Sequence, residues 1–266
     1  MTAISAPTPE LRLVRDGGIG WIILSNPERM NALTAGMWGA LPGLVAEAER
    51  DPVLRVIVLR GEGQRAFSAG ADISEFESAR TGQSAATYDA LNDEAFKALS
   101  GAKKPVIAMI HGFCLGGGLG LAASCDLRLA DDRSEFAIPA ARLGIGYNAR
   151  WLPPLLALAK PASVKELLFT GRRFKSAEAL ALGLVNRIVP TDTLEAETRA
   201  LASEIAQNAP LSIRAAKMAI DELVRHPETP DKARLDEAVA LCFKSEDYAE
   251  GRRAFLEKRR PEFRGK

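Results

Sequence analysis

A chain of 266 residues with two histidines, three cysteines and only 6% aromatic residues has little material for metal or nucleophilic chemistry. The cysteines, Cys114, Cys125 and Cys242, stand at unrelated spacings. That excludes a paired Cys-x-x-Cys motif, a metal site and a disulfide framework, and points to a reduced, cytoplasmic setting. No uninterrupted apolar run reaches the ~20 residues that a membrane span needs. An excess of either charge is missing too. Thirty-five basic residues face 34 acidic ones for a net charge of +1, so nothing signals nucleic acid, although basic residues gather near Arg252 to Arg264. The opening MTAISAPTPE has neither the cationic start nor the apolar centre of a secretory signal. Residues 1–10 read as a flexible leader.

What is present is apolar material, 47% of the chain, enough for one large domain. Leu11 to Arg15 alternates as a strand does, Asp16-Gly17-Gly18 turns it, and Ile19 to Leu24 returns, which predicts a hairpin. Behind Thr34, a helix-cap residue, Met37, Leu41, Leu44, Val45 and Ala48 recur at helical spacing through Arg50, with Pro42 and Gly43 opposing the helix. Val56 to Arg60 and Val106 to Ile110 read as buried strands, and a helix over Tyr88 to Leu99 separates them. This order is an α/β pattern with crossover connections. From Ala162 the pattern is mostly helical, with one short strand at Val185 to Val189. The expected division is a core over 11–195 and a helical C-terminal region over 196–266.

Chemistry concentrates in Val106 to Asp126, VIAMIHGFCLGGGLGLAASCD. A strand breaks at His111-Gly112, and Gly116-Gly117-Gly118 open a small-residue helix. Free N–H groups at such a helix start favour negative charge, permanent or developing. The glycines lack the spacing of a dinucleotide fingerprint, and no Lys-Ser or Lys-Thr closes a phosphate loop. A second small-residue turn, Ser68-Ala69-Gly70-Ala71-Asp72, opens another helix, with Asp72 placed to cap it. Two strand-to-helix turns in consecutive crossover units can bring two backbone N–H groups beside one carbonyl oxygen, as an oxyanion hole requires.

Those two turns, with Asn26-Pro27, Asn31-Ala32-Leu33, Cys125-Asp126, Leu182-Gly183-Leu184-Val185 and the terminal AFLEKRRPEF, resemble the crotonase superfamily of enoyl-CoA hydratases and isomerases over nearly the whole chain. The resemblance implies a crotonase-like α/β fold of repeated β-β-α units in two stacked sheets, with the helical C-terminal region used for trimerisation. It implies an acyl-CoA thioester substrate, no cofactor beyond its CoA moiety, no metal, and a homotrimer or dimer of trimers. The hole donors would be the N–H groups of Ala71 and Gly117. Contacts to CoA would come from Arg29, Ala32, Ala69, Asp72, Ile73, Phe255 and Lys258, the last two often serving a neighbouring subunit.

One departure matters more than any match. The hydratases place one catalytic glutamate two residues after the three glycines and another after the proline of a later turn; here those positions are Gly120 and Ala140. Neither moves a proton, and a positioned acid or base contributes about 10²–10⁴-fold. Asp89, Asp93 and Glu94 on the intervening helix are the substitutes to inspect. Leu143 to Asn148 and the terminal SEDYAEGRRAFLEKRRPEF resemble the methylmalonyl-CoA decarboxylase branch, in which a tyrosine at the place of Tyr147 lies in the active site. Loss of carbon dioxide into an enolate requires no initial proton removal, so decarboxylation of a malonyl-type CoA is the favoured expectation, with Tyr147 and Asn148 as catalytic candidates. A buried, backbone-satisfied ring is the plain alternative for Tyr147. Asn148 stands where the 4-chlorobenzoyl-CoA dehalogenases carry a nucleophilic aspartate, and an amide cannot replace it. Hydration or isomerisation by other acid and base groups, and a non-catalytic CoA-binding scaffold, are the other readings. His111 reads as a structural group at a strand end, His226 as surface, and Trp38, Trp151 and Leu152 as core or interface.

Overall fold

The computed structural model describes residues 2–75 and 83–266. Eleven strands, β1 (Thr2–Thr8), β2 (Leu11–Asp16), β3 (Ile19–Leu24), β4 (Val56–Gly61), β5 (Ala66–Ser68), β6 (Val106–Ile110), β7 (Phe113–Leu115), β8 (Leu127–Asp131), β9 (Glu135–Ala137), β10 (Phe174–Lys175) and β11 (Arg187–Val189), are found among the described residues. They form a seven-stranded sheet in the order β1-β2-β3-β4-β6-β8-β11 and a four-stranded sheet in the order β10-β9-β7-β5. The chain moves between them in pairs. The first strand of each pair, β4, β6 and β8, enters the large sheet, and the second, β5, β7 and β9, enters the small one.

Helices α1 (Ala35–Arg50), α2 (Gln83–Ser100) and α3 (Gly117–Ala123) complete these units. Thr34 caps α1 by accepting from the Met37 N–H at 3.2 Å, and Pro42 is tolerated inside it. From β3 through β11 the large sheet is parallel, and its centre is buried on both faces. Along β6, Val106, Ala108 and Ile110 join the main core, while Ile107 and Met109 join a second cluster with Trp21, Val58 and Leu129. This is the two-residue period of a strand with apolar matter on each side.

Later in the chain come α4 (Leu152–Leu158), α5 (Pro161–Thr170), α6 (Ser176–Ala181), α7 (Leu194–Ala206), α8 (Pro210–Arg225), α9 (Lys232–Lys244) and α10 (Glu246–Leu256). Leu194 and Ala202 of α7 close the second cluster, so this helix belongs to the core packing although it starts at the expected domain boundary. Helices α8 and α9 bury no residue and expose Ile220, Leu223, Val224, Val239, Leu241 and Phe243.

Residues 1–10, expected as a flexible leader, include a strand: Thr2–Thr8 pairs antiparallel with β2, from Thr2 opposite Arg15 to Thr8 opposite Leu11, with register irregularities between. Edge pairing with an existing hairpin satisfies its backbone without apolar alternation, which is why the sequence pattern hides it. The predicted helix after Ala66–Phe76 begins as a single 3-10 turn, Ile73–Glu75, and its continuation falls outside the described residues.

Candidate functional site

The turn between β5 and Ile73 is shaped by the loop that precedes α1. Buried Asn31 donates from Nδ2 to the carbonyls of Ala66 at 2.7 Å and Glu62 at 3.0 Å, and its Oδ1 accepts from the Asn26 N–H at 3.0 Å. Asn26 in turn donates to the carbonyl of buried Ala32 at 3.1 Å. Ala69 N–H is taken by the Met30 carbonyl, Gly70 C=O by the Leu33 N–H, and Asp72 N–H by the Leu33 carbonyl. The amides on either side of Ala71 are thereby tied to the loop before α1. The Ala71 N–H has no acceptor among the described residues.

The second turn meets it. Gly116 has φ +52° and Gly70 φ +93°, conformations that glycine adopts without strain. A Cβ on Gly70 would stand 2.8 Å from the Leu115 carbonyl oxygen and 3.3 Å from the Gly117 nitrogen, and a Cβ on Gly117 would stand 3.8 Å from the Ala71 nitrogen. The Gly117 N–H, first in α3, is likewise without an acceptor among the described residues. Two adjacent unpaired donors at the start of a helix are what an oxygen acquiring negative charge needs.

Beside them lies a wall of rings. Trp38 Cζ2 is 2.8 Å from the place a Gly117 Cβ would occupy, and its indole N–H donates to the Tyr88 hydroxyl at 3.1 Å. Trp38 meets Phe96 edge-on at 5.6 Å between centroids, Phe96 meets Trp151 at 6.2 Å, and Trp151 meets Tyr147 at 5.5 Å. A Cβ at Gly120 would stand 2.6 Å from Phe96 Cζ. The space into which a glutamate there would project is filled by a benzene ring.

The carboxylates of α2 divide. Asp93 is 6% exposed and receives the Trp151 indole N–H on one oxygen and the Arg150 guanidinium on the other, both at 2.6 Å. Glu94 is exposed and pairs with Lys97, and Asp89 is half-buried. Asn148 spends its amide oxygen on the Arg150 N–H at 3.3 Å and Nε at 3.2 Å, capping a 3-10 turn. The Tyr147 hydroxyl has no hydrogen bond among the described residues, and burial raises its pKa, so it keeps its proton and is able to donate a hydrogen bond.

The matched protein family is enoyl-CoA hydratase/isomerase, whose pattern fits residues 15–266. The chain belongs to this family. It is 33% identical to the short-chain-enoyl-CoA hydratase of Clostridium acetobutylicum, over 94% of this chain and 95% of that protein. It is 35% identical to the carnitinyl-CoA dehydratase of Salmonella arizonae, over 96% and 98%. An enoyl-CoA hydratase/carnithine racemase structure from Magnetospirillum magneticum superposes with a TM-score of 0.93 at 38% identity, covering 97% of each chain. The fold is that of the crotonase superfamily, and the chain is an acyl-CoA enzyme of the hydratase/isomerase type.

Within this family member, the residues expected to touch CoA fall into two groups. Ala69, Asp72 and Ile73 lie in the first turn on either side of Ala71, with Ala32 buried and Ile73 65% exposed. Arg29 lies on the same rim, donating to both oxygens of Asp72 at 3.1 and 2.7 Å and to Ser74 Oγ at 2.5 Å. Desolvation works to raise the pKa of Asp72, but the bonds from Ser74 and Arg29 outweigh it and lower the pKa. Phe255 and Lys258 sit elsewhere. Phe255, 84% exposed, lines an apolar groove of about 900 Å³ between α8, α9 and α10, and Lys258 is exposed just past α10.

His111 is buried at the end of β6; desolvation first, then the Arg60 charge, push its pKa down to about 4. Trp38 and Trp151 are core residues, and His226 is exposed. Sequence reasoning missed the Asn31 scaffold, the Phe96 ring over Gly120 and the Asp93–Trp151 bond. Only the first left a trace, as an asparagine inside a matched motif.

Among the described residues no helix is long and apolar enough to cross a membrane.

Proposed function

We propose that the chain adds water to, or removes it from, an acyl-CoA through an enolate whose oxygen rests between the Ala71 and Gly117 N–H groups, and that it does so without the glutamate pair of its relatives. The observation that carries this is the pair of adjacent unpaired donors. The hydratase and dehydratase names of relatives about one-third identical support the reaction type. Proton transfer then falls to the carboxylates of α2, Asp89, Asp93 and Glu94, of which Asp93 is held by Trp151 and Arg150. CoA lies along Arg29, Ala32, Ala69, Asp72 and Ile73, with no further cofactor, in a cytoplasmic enzyme. The exposed apolar faces of α8 and α9 support a homotrimer or dimer of trimers in which Phe255 and Lys258 serve a neighbouring subunit's CoA.

A second reading, decarboxylation of a malonyl-type CoA, is favoured by Phe96 over Gly120 and by the unbonded Tyr147 hydroxyl, a donor suited to a substrate carboxylate. Incubation with crotonyl-CoA and with methylmalonyl-CoA separates them. Loss of the conjugated thioester absorbance of crotonyl-CoA supports the first reading. Bicarbonate release from methylmalonyl-CoA with crotonyl-CoA untouched replaces it by the second, and binding of both without turnover makes the chain a scaffold.

A further inference from the structure

Arg128, on β8, is 2% exposed. Its Nη1 donates to the carbonyls of Cys125 at 2.5 Å and Ala122 at 3.3 Å, and its Nη2 to the carbonyl of Asp126 at 3.2 Å and to Asn186 Oδ1 at 3.4 Å. Its Nε has no partner among the described residues. None of these acceptors is a carboxylate. The nearest one, on Asp126, is engaged by the Val106 N–H and by Lys217 Nζ, each at 2.7 Å. A guanidinium does not lose its proton in a protein, so a full positive charge sits in the core against neutral dipoles. Burial of that kind is unfavourable before its contacts are counted, and capping a few carbonyls is a task a neutral donor could perform.

Of the carbonyls it holds, that of Ala122 lies in the last turn of α3, the helix whose first N–H belongs to Gly117, and those of Cys125 and Asp126 follow directly after the helix ends at Ala123. Seven residues separate the two ends by about 10 Å. Between them lie Leu119, Gly120, Leu121 and Ala122, all buried, so salt and water screen the charge little.

We propose that Arg128 is a positioning residue for the oxyanion: its guanidinium fixes the far end of α3 and adds a permanent positive potential at the oxygen held by Ala71 and Gly117. It touches no substrate. It acts through the helix and the field, strengthening as negative charge develops on the thioester oxygen.

The inference rests on the hole assigned above, and its test separates the two. Carbonyl-labelled butyryl-CoA is bound to the full chain and its thioester carbonyl stretch is read by isotope-edited infrared spectroscopy, with dissociation constants measured alongside. In the wild-type protein the band moves to lower frequency on binding. Arg128→Met loses part of that shift, Arg128→Lys recovers it, and the dissociation constants change little. Because Arg128→Met removes a buried group, Asn186→Asp supplies an independent probe. It places a carboxylate on the same guanidinium from an exposed position of nearly identical shape, and it too reduces the shift. A shifted wild-type band that Asn186→Asp leaves in place overturns the role of Arg128 alone. An unshifted wild-type band overturns the hole and this proposal with it.

Discussion

Gly117 and Gly120 lie within one turn of the same helix, yet their surroundings are made of different materials. Around Gly117 the functional groups are main-chain N–H donors, and the neighbouring turn that carries the Ala71 donor is held by backbone bonds to Met30 and Leu33 and by the Asn31 side-chain amide. Against Gly120 stands a ring, with Phe96 in the place of a side chain and Asp93 turned toward Trp151 and Arg150. A hole built from peptide groups persists through side-chain drift, because any residue supplies an N–H. Proton transfer depends on side-chain identity, and a single residue change removes it. The main-chain donors on which the proposed hole depends are therefore kept, while the positions of the family's usual acid and base are occupied by Gly120 and Ala140.

The largest effect should come from converting the ring side back. Gly120→Glu alone drives its side chain into Phe96, so the variant to make is Phe96→Ala with Gly120→Glu and Ala140→Glu. Hydration of crotonyl-CoA should rise by about 10²–10⁴-fold in steady-state assays, the contribution of positioned acid and base groups. No gain in a folded triple variant would show that the two positions do not face the acyl group. On the other side of the comparison, Gly117→Pro removes a donor, while Gly117→Ala keeps it and imposes the same Cβ contact on Trp38. Turnover by the proline variant should fall about 10²–10³-fold below that of the alanine variant. Equal rates would dissolve the hole.

The same contrast explains what was legible in the sequence. The glycine turns, the β2–β3 hairpin and the Thr34 cap are local signals, written within a few neighbouring residues, and each recurs in the structure. The ring side is assembled across distance. Phe96 fills a vacancy on a different helix, and the Trp151–Asp93 bond joins residues 58 positions apart. No periodicity announces such partners. Asn148 shows a local contact that the resemblance does not announce: its amide oxygen serves as a cap for the turn that follows it. The short helix α4 hides for another reason, since Pro153 and Pro154 read as breakers although they stand in its first turn, where proline is tolerated.

The strand that leads into the glycine turn carries a titration of its own. His111 ends β6, just ahead of the glycine turn, with its pKa pushed from 6.5 to about 4. A histidine whose folded pKa is depressed is protonated first in the unfolded chain, so stability is complete above about pH 6.5 and falls as the pH drops toward 4. The difference of about 2.5 units corresponds to a loss of about 3 kcal/mol across that window. Urea unfolding between pH 6.5 and 5, before most carboxylates titrate, should show the decline, and His111→Gln should flatten it. A flat wild-type profile would mean that the ring is solvated.

Tyr147→Phe gives the smallest and most selective result. The hydroxyl has no hydrogen bond among the described residues, while the ring packs against Trp151 and the main core. Removing the oxygen should therefore leave the thermal midpoint nearly unchanged, because the packing is kept and no internal bond is lost. Hydration of crotonyl-CoA should also be unaffected, since burial holds the phenol in its protonated form and denies it the role of a base. If the chain decarboxylates a malonyl-type CoA, the substrate's carboxylate gains its donor from this hydroxyl, and the variant should lose about 10-fold in kcat/KM, or about 1.4 kcal/mol, the strength of one hydrogen bond to a charged group. A decarboxylation indifferent to the change would leave Tyr147 as a wall, and would place the ring side wholly outside the chemistry that the main-chain side performs.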